Sequence, residues 1–224
     1  MKKLLFILSL LVMALPMTAD DNPDDYKVTC TLADGTVITG YSTTRFTNYM
    51  IPQVYEMKIS DTYKGEARTY TSEEVKRVVF TSTLNDSLPV IFESVKAQKK
   101  LPNLFNKNPK PYKRPVFLRL IYEGKNVNGY AMPTTDHTMT PSITVVNYTW
   151  RYYYLKKGDE IAKAYWLDAS GITPGMKTVM KFYFKEFPKL VEMVEKEEIT
   201  GKQFLQNPAM VLPLMDASYV PEKE

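Results

Sequence analysis

The 224-residue chain contains one histidine and one cysteine, and this limits the catalytic chemistry that it can support. Any pair of a nucleophile and a histidine must use His137, which lies in residues 133–142, a predicted polar loop. No feature of the sequence indicates that Cys30 and His137 lie close together. We expect Cys30 to be a buried small hydrophobe on a strand. One histidine and one cysteine also leave little room for a zinc site and none for a disulfide framework. We therefore expect no catalytic residue, cofactor or metal, and an enzyme is the less favoured class.

Acidic residues could still act as a catalytic pair, because the two carboxylates of a glycosidase leave little signature in a sequence. The acids cluster in residues 20–25, at Glu73 and Glu74, and in residues 192–198. These positions are predicted to be a leader, a turn and a helix surface, and none resembles a strand end inside a cleft. A hydrolase that acts on envelope glycans with paired carboxylates therefore stays as the alternative function.

A long basic stretch is more informative than the acids. No acidic residue occurs between Glu93 and Glu123, whereas eight lysine and arginine residues do. Seven of them are candidate contacts for an anionic partner: Lys96, Lys99, Lys100, Lys107, Lys110, Lys113 and Arg114. Phe105 and Tyr112 are interleaved with these cations, as aromatic residues are in nucleic-acid-binding segments. Two interpretations stay open, a binding segment for an anionic partner and a solvated connector stiffened by prolines.

Aromatic residues are numerous, with 16 tyrosines and 10 phenylalanines, and they could stack on sugars or pack in a core. Tyr152, Tyr153 and Tyr154 are consecutive in a predicted strand, where side chains alternate between faces, so we expect at least one to face outward. In the helical residues 176–194, lysines recur every four residues opposite the apolar face: Lys177, Lys181, Lys185 and Lys189. Phe182 lies on that polar side and is the candidate exposed aromatic residue.

Residues 1–19 have the pattern of a secretory signal peptide. Lys2 and Lys3 precede the apolar residues 4–15, Pro16 ends that run, and Ala19 offers a small residue at the cleavage site. The apolar run is shorter than the ~20 residues of a membrane span, and no transmembrane segment is expected after removal of the signal. We expect export to the periplasm, the outer membrane or the extracellular space, which argues against nucleic acid as a partner. Signal removal lowers the formal net charge from +4 to +2, so bulk charge favours no partner.

The rest of the chain predicts an α+β protein dominated by strands. Residues 20–25 are acidic and polar, a predicted disordered leader. In residues 26–87, short strands accompany a hairpin turn at Asp34-Gly35 and a helical turn capped by Ser72. This order is typical of a small SH3-like or Sm-like barrel.

A second unit is predicted to follow a connector rich in proline and lysine at residues 88–115, in which residues 90–95 are either a strand or a short helix. Residues 116–217 are predicted to be an antiparallel β unit with C-terminal helices, and residues 218–224 a tail. Pro188 should kink the helical run or begin a second helix. A last short helix is expected at about residues 208–216.

Three segments of this second unit occur in a familiar order: residues 117–125 (FLRLIYEGK), 152–158 (YYYLKKG) and 184–191 (FKEFPKLV). They resemble a broad group of small, uncharacterised exported proteins of Bacteroidota, which pair a YYxxKKG hairpin with a YFxDCPxL helix pair. This chain departs from the second motif at Glu186 and at Phe187, where the group usually has cysteine. The resemblance covers about residues 116–200 and implies export and the architecture, but no activity.

The same resemblance implies a modification. Exported proteins of that group are often O-glycosylated at Asp-Ser or Asp-Thr followed by a small or aliphatic residue. Asp86-Ser87-Leu88 resembles this motif, which makes Ser87 a candidate for O-glycosylation.

Taken together, these features of the sequence predict a non-catalytic binding or scaffolding protein of the cell envelope. Its partner would be an envelope protein, an anionic polysaccharide or a lipid head group.

Overall fold

In the part of the chain that the structure describes, ten strands form one antiparallel sheet. The computed structural model describes residues 22–43, 55–81, 89–103, 105–139, 144–168 and 175–219. The strands lie in the order β10-β9-β8-β7-β6-β5-β1-β2-β3-β4, and neighbouring strands are antiparallel. They are β1 (Lys27–Leu32), β2 (Val37–Ser42), β3 (Glu56–Ser60), β4 (Ala67–Thr71), β5 (Val75–Phe80), β6 (Val90–Val95), β7 (Val116–Glu123), β8 (Val127–Met139), β9 (Thr144–Lys156) and β10 (Lys163–Leu167).

One apolar core lies mainly between the first five strands and also includes Phe92 of β6 and Phe117 of β7. The predicted hairpin turn joins β1 to β2: Gly35 has a φ of 89°, and the Asp34 carboxylate accepts a hydrogen bond from the Thr36 N–H at 2.9 Å. Cys30 is fully buried on β1 in this core, as predicted. Burial raises the pKa of its thiol to about 12, so the thiol stays protonated and packs as a small apolar group.

The acidic leader is ordered where the structure describes it. Residues Pro23–Tyr26 form a 3-10 helix, and the Asn22 side chain caps it by accepting a hydrogen bond from the Asp24 N–H at 3.1 Å. Asp25 is buried at 8% exposure. The predicted disorder is therefore wrong for residues 22–25, because an asparagine cap and a proline in the first turn favour a short helical turn despite the polar composition.

The C-terminal half of the sheet contains the longest strands. Residues 90–95, which the sequence left open between strand and helix, are β6, paired with β5 and β7. β8 and β9 are 13 residues each and pair along their whole length. The prediction of a polar loop at residues 133–142 is therefore wrong for residues 133–139, which belong to β8. The backbone of His137 lies in this strand, opposite Val146. The threonines of this stretch favour strand structure, whatever the polarity of the segment.

In the described residues, four α-helices follow the sheet and cover one of its faces: α1 (Met176–Tyr183), α2 (Pro188–Glu195), α3 (Gly201–Gln206) and α4 (Leu212–Ser218). Pro188 begins α2, as predicted, because proline suits the first helical turn. α3 was not predicted; it begins after Thr200, which forms a reciprocal capping box with Gln203. The predicted β-dominated chain with C-terminal helices is confirmed. Within the described ranges, no helix is long and apolar enough to cross a membrane.

Both faces of the sheet are covered at the three consecutive tyrosines of β9. Tyr152 and Tyr154 face the helices, where they pack near Phe184 in one core. Tyr153 is fully buried in a second core on the opposite face, which residues 96–115 cover. The expectation that one of the three tyrosines faces outward is therefore wrong, because alternation exposes a side chain only where one face of a sheet is open to water.

Candidate functional site

Residues 96–114, called the basic segment below, begin along the edge of the sheet beside β10. The Gln98 N–H donates to the Ala162 carbonyl at 2.9 Å, and the Ala162 N–H donates to the Lys96 carbonyl at 2.8 Å. The Gln98 side chain is buried and accepts a hydrogen bond from the Ala164 N–H at 3.1 Å. These bonds satisfy backbone groups that the last strand of the sheet would otherwise leave open.

The remainder of the basic segment folds back on itself as a closed loop. The Lys99 N–H donates to the Lys110 carbonyl at 3.1 Å, and the Tyr112 N–H donates to the Ala97 carbonyl at 2.9 Å. Arg151 of β9 donates to the Lys99 carbonyl at 2.8 Å. The described residues of the segment form isolated β-bridges but no helix or strand, and its prolines predict this lack of regular structure. The hydrogen bonds above nevertheless fix its backbone to the sheet.

The charged ends of the basic segment face solvent. Six of its seven predicted contact residues are exposed: Lys99, Lys100, Lys107, Lys110, Lys113 and Arg114. The seventh, Lys96, is half-buried, and its ammonium group donates to the Lys113 carbonyl at 2.8 Å. Arg114 also lies over the Tyr55 ring at 5.5 Å. In the part of the chain that the structure describes, none of the seven forms an ion pair with an acidic side chain. The segment thus presents positive charge that no described acidic side chain compensates, on a backbone fixed to the sheet.

The two aromatic residues of the basic segment lie in different environments. Tyr112 is half-buried and packs edge-on against Tyr55, with 6.4 Å between the ring centroids. Phe105 is 100% exposed. Tyr112 therefore helps to hold the segment on the sheet, whereas Phe105 projects into solvent.

Phe182, the predicted exposed aromatic residue, is half-buried, so that prediction is wrong. Its ring packs edge-on against Tyr183, with 5.6 Å between centroids. It also lines a small cleft whose other wall includes Pro102 and Lys107 of the basic segment. The helical period of α1 could not reveal this contact, because the covering residues lie about 80 positions earlier in the chain.

The lysines of α1 differ from those of the basic segment, because acidic side chains neutralise two of them. The Lys177 ammonium lies 3.2 Å from Glu197, and the Lys181 ammonium lies 2.5 Å from Glu195. Lys185 lies 5.7 Å from the centre of the Phe182 ring. Two of the acidic residues 192–198, Glu195 and Glu197, are therefore counter-charges for α1, whereas Glu192 pairs with Lys196.

A groove of about 500 Å³ on the sheet face opposite the helices is lined by three carboxylates, those of Glu93, Glu123 and Glu160. One nitrogen of Arg77 lies 3.0 Å from Glu93 and 3.2 Å from Glu123. The Tyr130 hydroxyl donates to Glu93 at 2.7 Å and accepts a hydrogen bond from the Asn128 amide at 3.3 Å. The hydrogen bond from Arg77 holds the pKa of Glu123 below its ordinary value, so this carboxylate stays charged and has no proton to donate.

Two other acids, neither of them a candidate site residue from the sequence, organise the C-terminal half. Glu186 lies 2.8 Å from the Lys163 ammonium and 3.2 Å from the Lys156 ammonium. Asp216 of α4 accepts hydrogen bonds from the backbone N–H groups of residues 125–127, at 3.2, 2.5 and 2.8 Å. Their partners lie up to 91 residues away along the chain, so no local spacing could have indicated them.

Other predicted features lie outside the described residues. These are the signal peptide at residues 1–19, the candidate O-glycosylation site Ser87, and the end of the tail at residues 220–224. The side chain of His137 also belongs to the part that is not described. Among the described residues, no group of three or more histidine, cysteine, aspartate or glutamate side chains could hold a metal ion.

Comparison with known proteins assigns no family to the chain. No family model matches it, and no curated protein or solved structure matches it significantly. The resemblance to exported proteins of Bacteroidota therefore stays a prediction.

Proposed function

We propose that this protein is an exported, non-catalytic binding or scaffolding protein of the cell envelope, which holds an anionic partner with its basic segment. The observation that supports this proposal is the set of six exposed cations that meet no acidic side chain in the described ranges. Because the backbone beneath them is already fixed, binding orders fewer residues than it would in a free tail.

The partner carries phosphate or carboxylate groups, since these complement clustered lysines. An anionic polysaccharide, a lipid head group or an acidic patch on an envelope protein would supply them. The signal pattern of residues 1–19 and the resemblance to exported proteins both favour the envelope over a compartment that contains nucleic acid. Ser87 remains the candidate for O-glycosylation within this proposal.

We also propose that residues 26–87 form a small SH3-like or Sm-like barrel that serves as a contact module. The strand order β5-β1-β2-β3-β4 supports this interpretation, as does an apolar core in which seven of the nine buried residues come from β1, β3 and β5. A further support is Gly40, where a Cβ atom would lie 2.6 Å from the Ser60 carbonyl oxygen. Such close approach of two backbones is the reason for glycine in a strand that curls. In this proposal, residues 88–115 are a connector and residues 116–217 are a second unit. β6 belongs to the connector, and it joins the two units in one sheet because it pairs with both β5 and β7.

The first test reverses charge in the basic segment. The mature chain, residues 20–224, would be compared with its Lys99→Glu, Lys100→Glu, Lys113→Glu variant on anionic envelope fractions at increasing salt. Each lysine near an anionic surface contributes about 1 kcal/mol, so the variant should bind at least ~100-fold more weakly. Salt should release the parent chain, because the attraction is electrostatic and screened.

The matched control changes the net charge equally at three exposed lysines elsewhere, as Lys58→Glu, Lys125→Glu and Lys202→Glu. This control should bind within about threefold of the parent chain, because global charge contributes less than the local cluster. Equal losses in both variants would show that only the overall charge matters. Unchanged retention of the basic-segment variant would contradict the proposed function.

Among the described residues, the alternative function, a glycan hydrolase, is favoured only by the presence of Glu93, Glu123 and Glu160 in one groove. The shared Arg77 argues against it, because a general acid needs a raised pKa and the pKa of Glu123 is lowered. Release of new reducing ends from envelope glycans, abolished by Glu93→Gln, would make the hydrolase the better proposal.

A further inference from the structure

Phe105 lies at the tip of the loop that Lys99 and Lys110 close. Asn103 shapes this tip, because its side-chain oxygen accepts hydrogen bonds from the N–H groups of Phe105 at 3.0 Å and Asn106 at 2.7 Å. The Asn103 N–H in turn donates to the Asn106 carbonyl at 2.9 Å. This turn is formed by local hydrogen bonds and holds the phenyl ring away from the protein.

The exposure of Phe105 is exceptional within this protein. Among the described residues, the only other exposed large hydrophobic side chain is Val37, at 60% against 100% for Phe105. Each exposed phenyl ring costs free energy of hydration that burial would recover. Single exposed apolar residues are ordinary on protein surfaces, but here a preformed turn holds the whole ring exposed among lysines, and this combination indicates an apolar layer beside anionic groups.

The chemistry of the ring and its neighbours distinguishes a bilayer from a polysaccharide. A sugar-stacking site offers one face of a supported ring and hydrogen-bonding groups beside it, whereas Phe105 is open on all sides and carries no polar atom. The boundary between head groups and acyl chains can surround a whole phenyl ring. Exposed lysines on the same loop would lie at the level of the phosphates: Lys99, Lys100, Lys107 and Lys110.

We propose that the loop of residues 99–110 docks on an anionic phospholipid surface, with Phe105 inserted below the head groups and the loop lysines bound to phosphates. This inference rests on the proposed function, since it identifies the anionic partner as a bilayer. It assigns separate roles to two kinds of side chain: the lysines give salt-sensitive attraction, and Phe105 gives attachment that salt does not screen.

The experiment measures co-sedimentation of the mature chain with phosphatidylglycerol vesicles, with phosphatidylcholine vesicles as the neutral comparison. Phe105→Ala should weaken binding to the anionic vesicles by about 10- to 100-fold. Val37→Ala, the matched control at the other exposed apolar residue, should leave binding unchanged. In a separate readout, Phe105→Trp should add fluorescence that shifts to shorter wavelength when anionic vesicles are present. Both substituted positions are exposed, so the variants should fold like the parent chain.

Soluble polygalacturonate, an anionic polymer without an apolar layer, separates this inference from the proposed function. Phe105→Ala should bind polygalacturonate as the parent chain does. Equal vesicle binding by the parent chain and Phe105→Ala, with loss only in the lysine variant, would overturn the insertion and leave the proposed function intact. Binding to polygalacturonate but not to vesicles would overturn the bilayer as partner. Binding to neither would overturn both proposals.

Discussion

The lysines of α1 and those of the basic segment are similar in the sequence but differ in the structure. Lys177 and Lys181 lie 3.2 and 2.5 Å from acidic side chains of residues 195–197. The six exposed cations of residues 99–114 meet no such partner in the ranges that the structure describes. The first set is neutralised within the fold, and the second remains available to a partner. A run of like charges thus indicates function only once its counter-charges have been located.

This comparison predicts a separation of effects. Substitution of polar residues whose hydrogen-bond and ion-pair partners lie within the C-terminal half should alter the free energy of unfolding. Binding to anionic surfaces should stay unchanged. Changes to the exposed cations should do the reverse, because exposed charges without partners contribute little to stability. Residues that fix the basic segment to the sheet should affect both quantities.

The largest effect on stability is expected at Asp216. Asp216→Ala removes the acceptor of three backbone N–H groups in the turn between β7 and β8, together with the hydrogen bond from the Tyr122 hydroxyl at 3.2 Å. We expect the free energy of unfolding to fall by roughly 2–3 kcal/mol, as for loss of hydrogen bonds to a charged group. Denaturant unfolding monitored by circular dichroism measures this loss.

Asp216→Asn provides the control, because its amide keeps one acceptor oxygen and should recover about half of the lost stability. Vesicle or polymer binding of both variants, measured well below their unfolding temperatures, should equal that of the parent chain. A loss of binding as large as that of the basic-segment variant would break the separation between the two regions.

An intermediate effect is expected at Gln98, which joins the two regions. Gln98→Leu leaves the buried Ala164 N–H without its acceptor and should lower the free energy of unfolding by about 1–2 kcal/mol. It should also weaken anionic binding a few-fold, because the cations then lie on a less fixed backbone. Lys100→Ala, two residues away and exposed, should weaken binding without lowering stability. A Gln98→Leu variant with unchanged binding would show that anchoring of the segment is irrelevant to its partner.

The smallest effect concerns pH and Glu186. Partial burial acts to raise the pKa of Glu186, but hydrogen bonds and charges of Lys163 and Lys156 together outweigh it and hold the pKa below 4.5. Because the folded pKa is the lower one, the stabilisation is complete above the unfolded value and is lost as pH falls through the folded pKa. Glu186→Gln should cost at most about 1 kcal/mol at neutral pH, since the ion pairs are partly exposed.

In acid, the Glu186→Gln variant and the parent chain should approach equal stability, which urea unfolding at a series of pH values would check. Glu192→Gln supplies the comparison on an exposed helix surface, where the pairing with Lys196 is within one helical turn. If the free energy of unfolding of Glu186→Gln equals that of the parent chain at every pH, the ion pairs of Glu186 do not stabilise the fold.

Local signals in the sequence predicted much of the fold. The hairpin turn at Asp34-Gly35, the burial of Cys30 and the start of α2 at Pro188 are confirmed, since each depends on neighbouring residues or on composition. Predictions failed where a polar segment was assigned an irregular structure. Residues 22–25 and residues 133–139 are ordered because a cap and a long strand partner supply backbone hydrogen bonds that composition does not reveal.

The candidate site divides in the same way. The sequence identified the basic segment, because an absence of acids over nearly 30 residues is visible without a structure. It misplaced Phe182 as the exposed aromatic residue and did not single out Phe105 for exposure. The difference depends on the fold: the basic segment covers part of α1, while Asn103 turns the tip of the loop away from the protein.

By itself, the sequence determined the strand-rich composition, the helical period near the C-terminus and the position of the positive charge, because these depend on residue type and local spacing. The tertiary structure decided which charges are neutralised. Lys181 and Glu195 meet because α1 and α2 pack together, and Arg77 meets Glu93 and Glu123 because β5, β6 and β7 are neighbours. Ion pairs depend on distance in space, and only folding sets that distance for residues far apart in the chain.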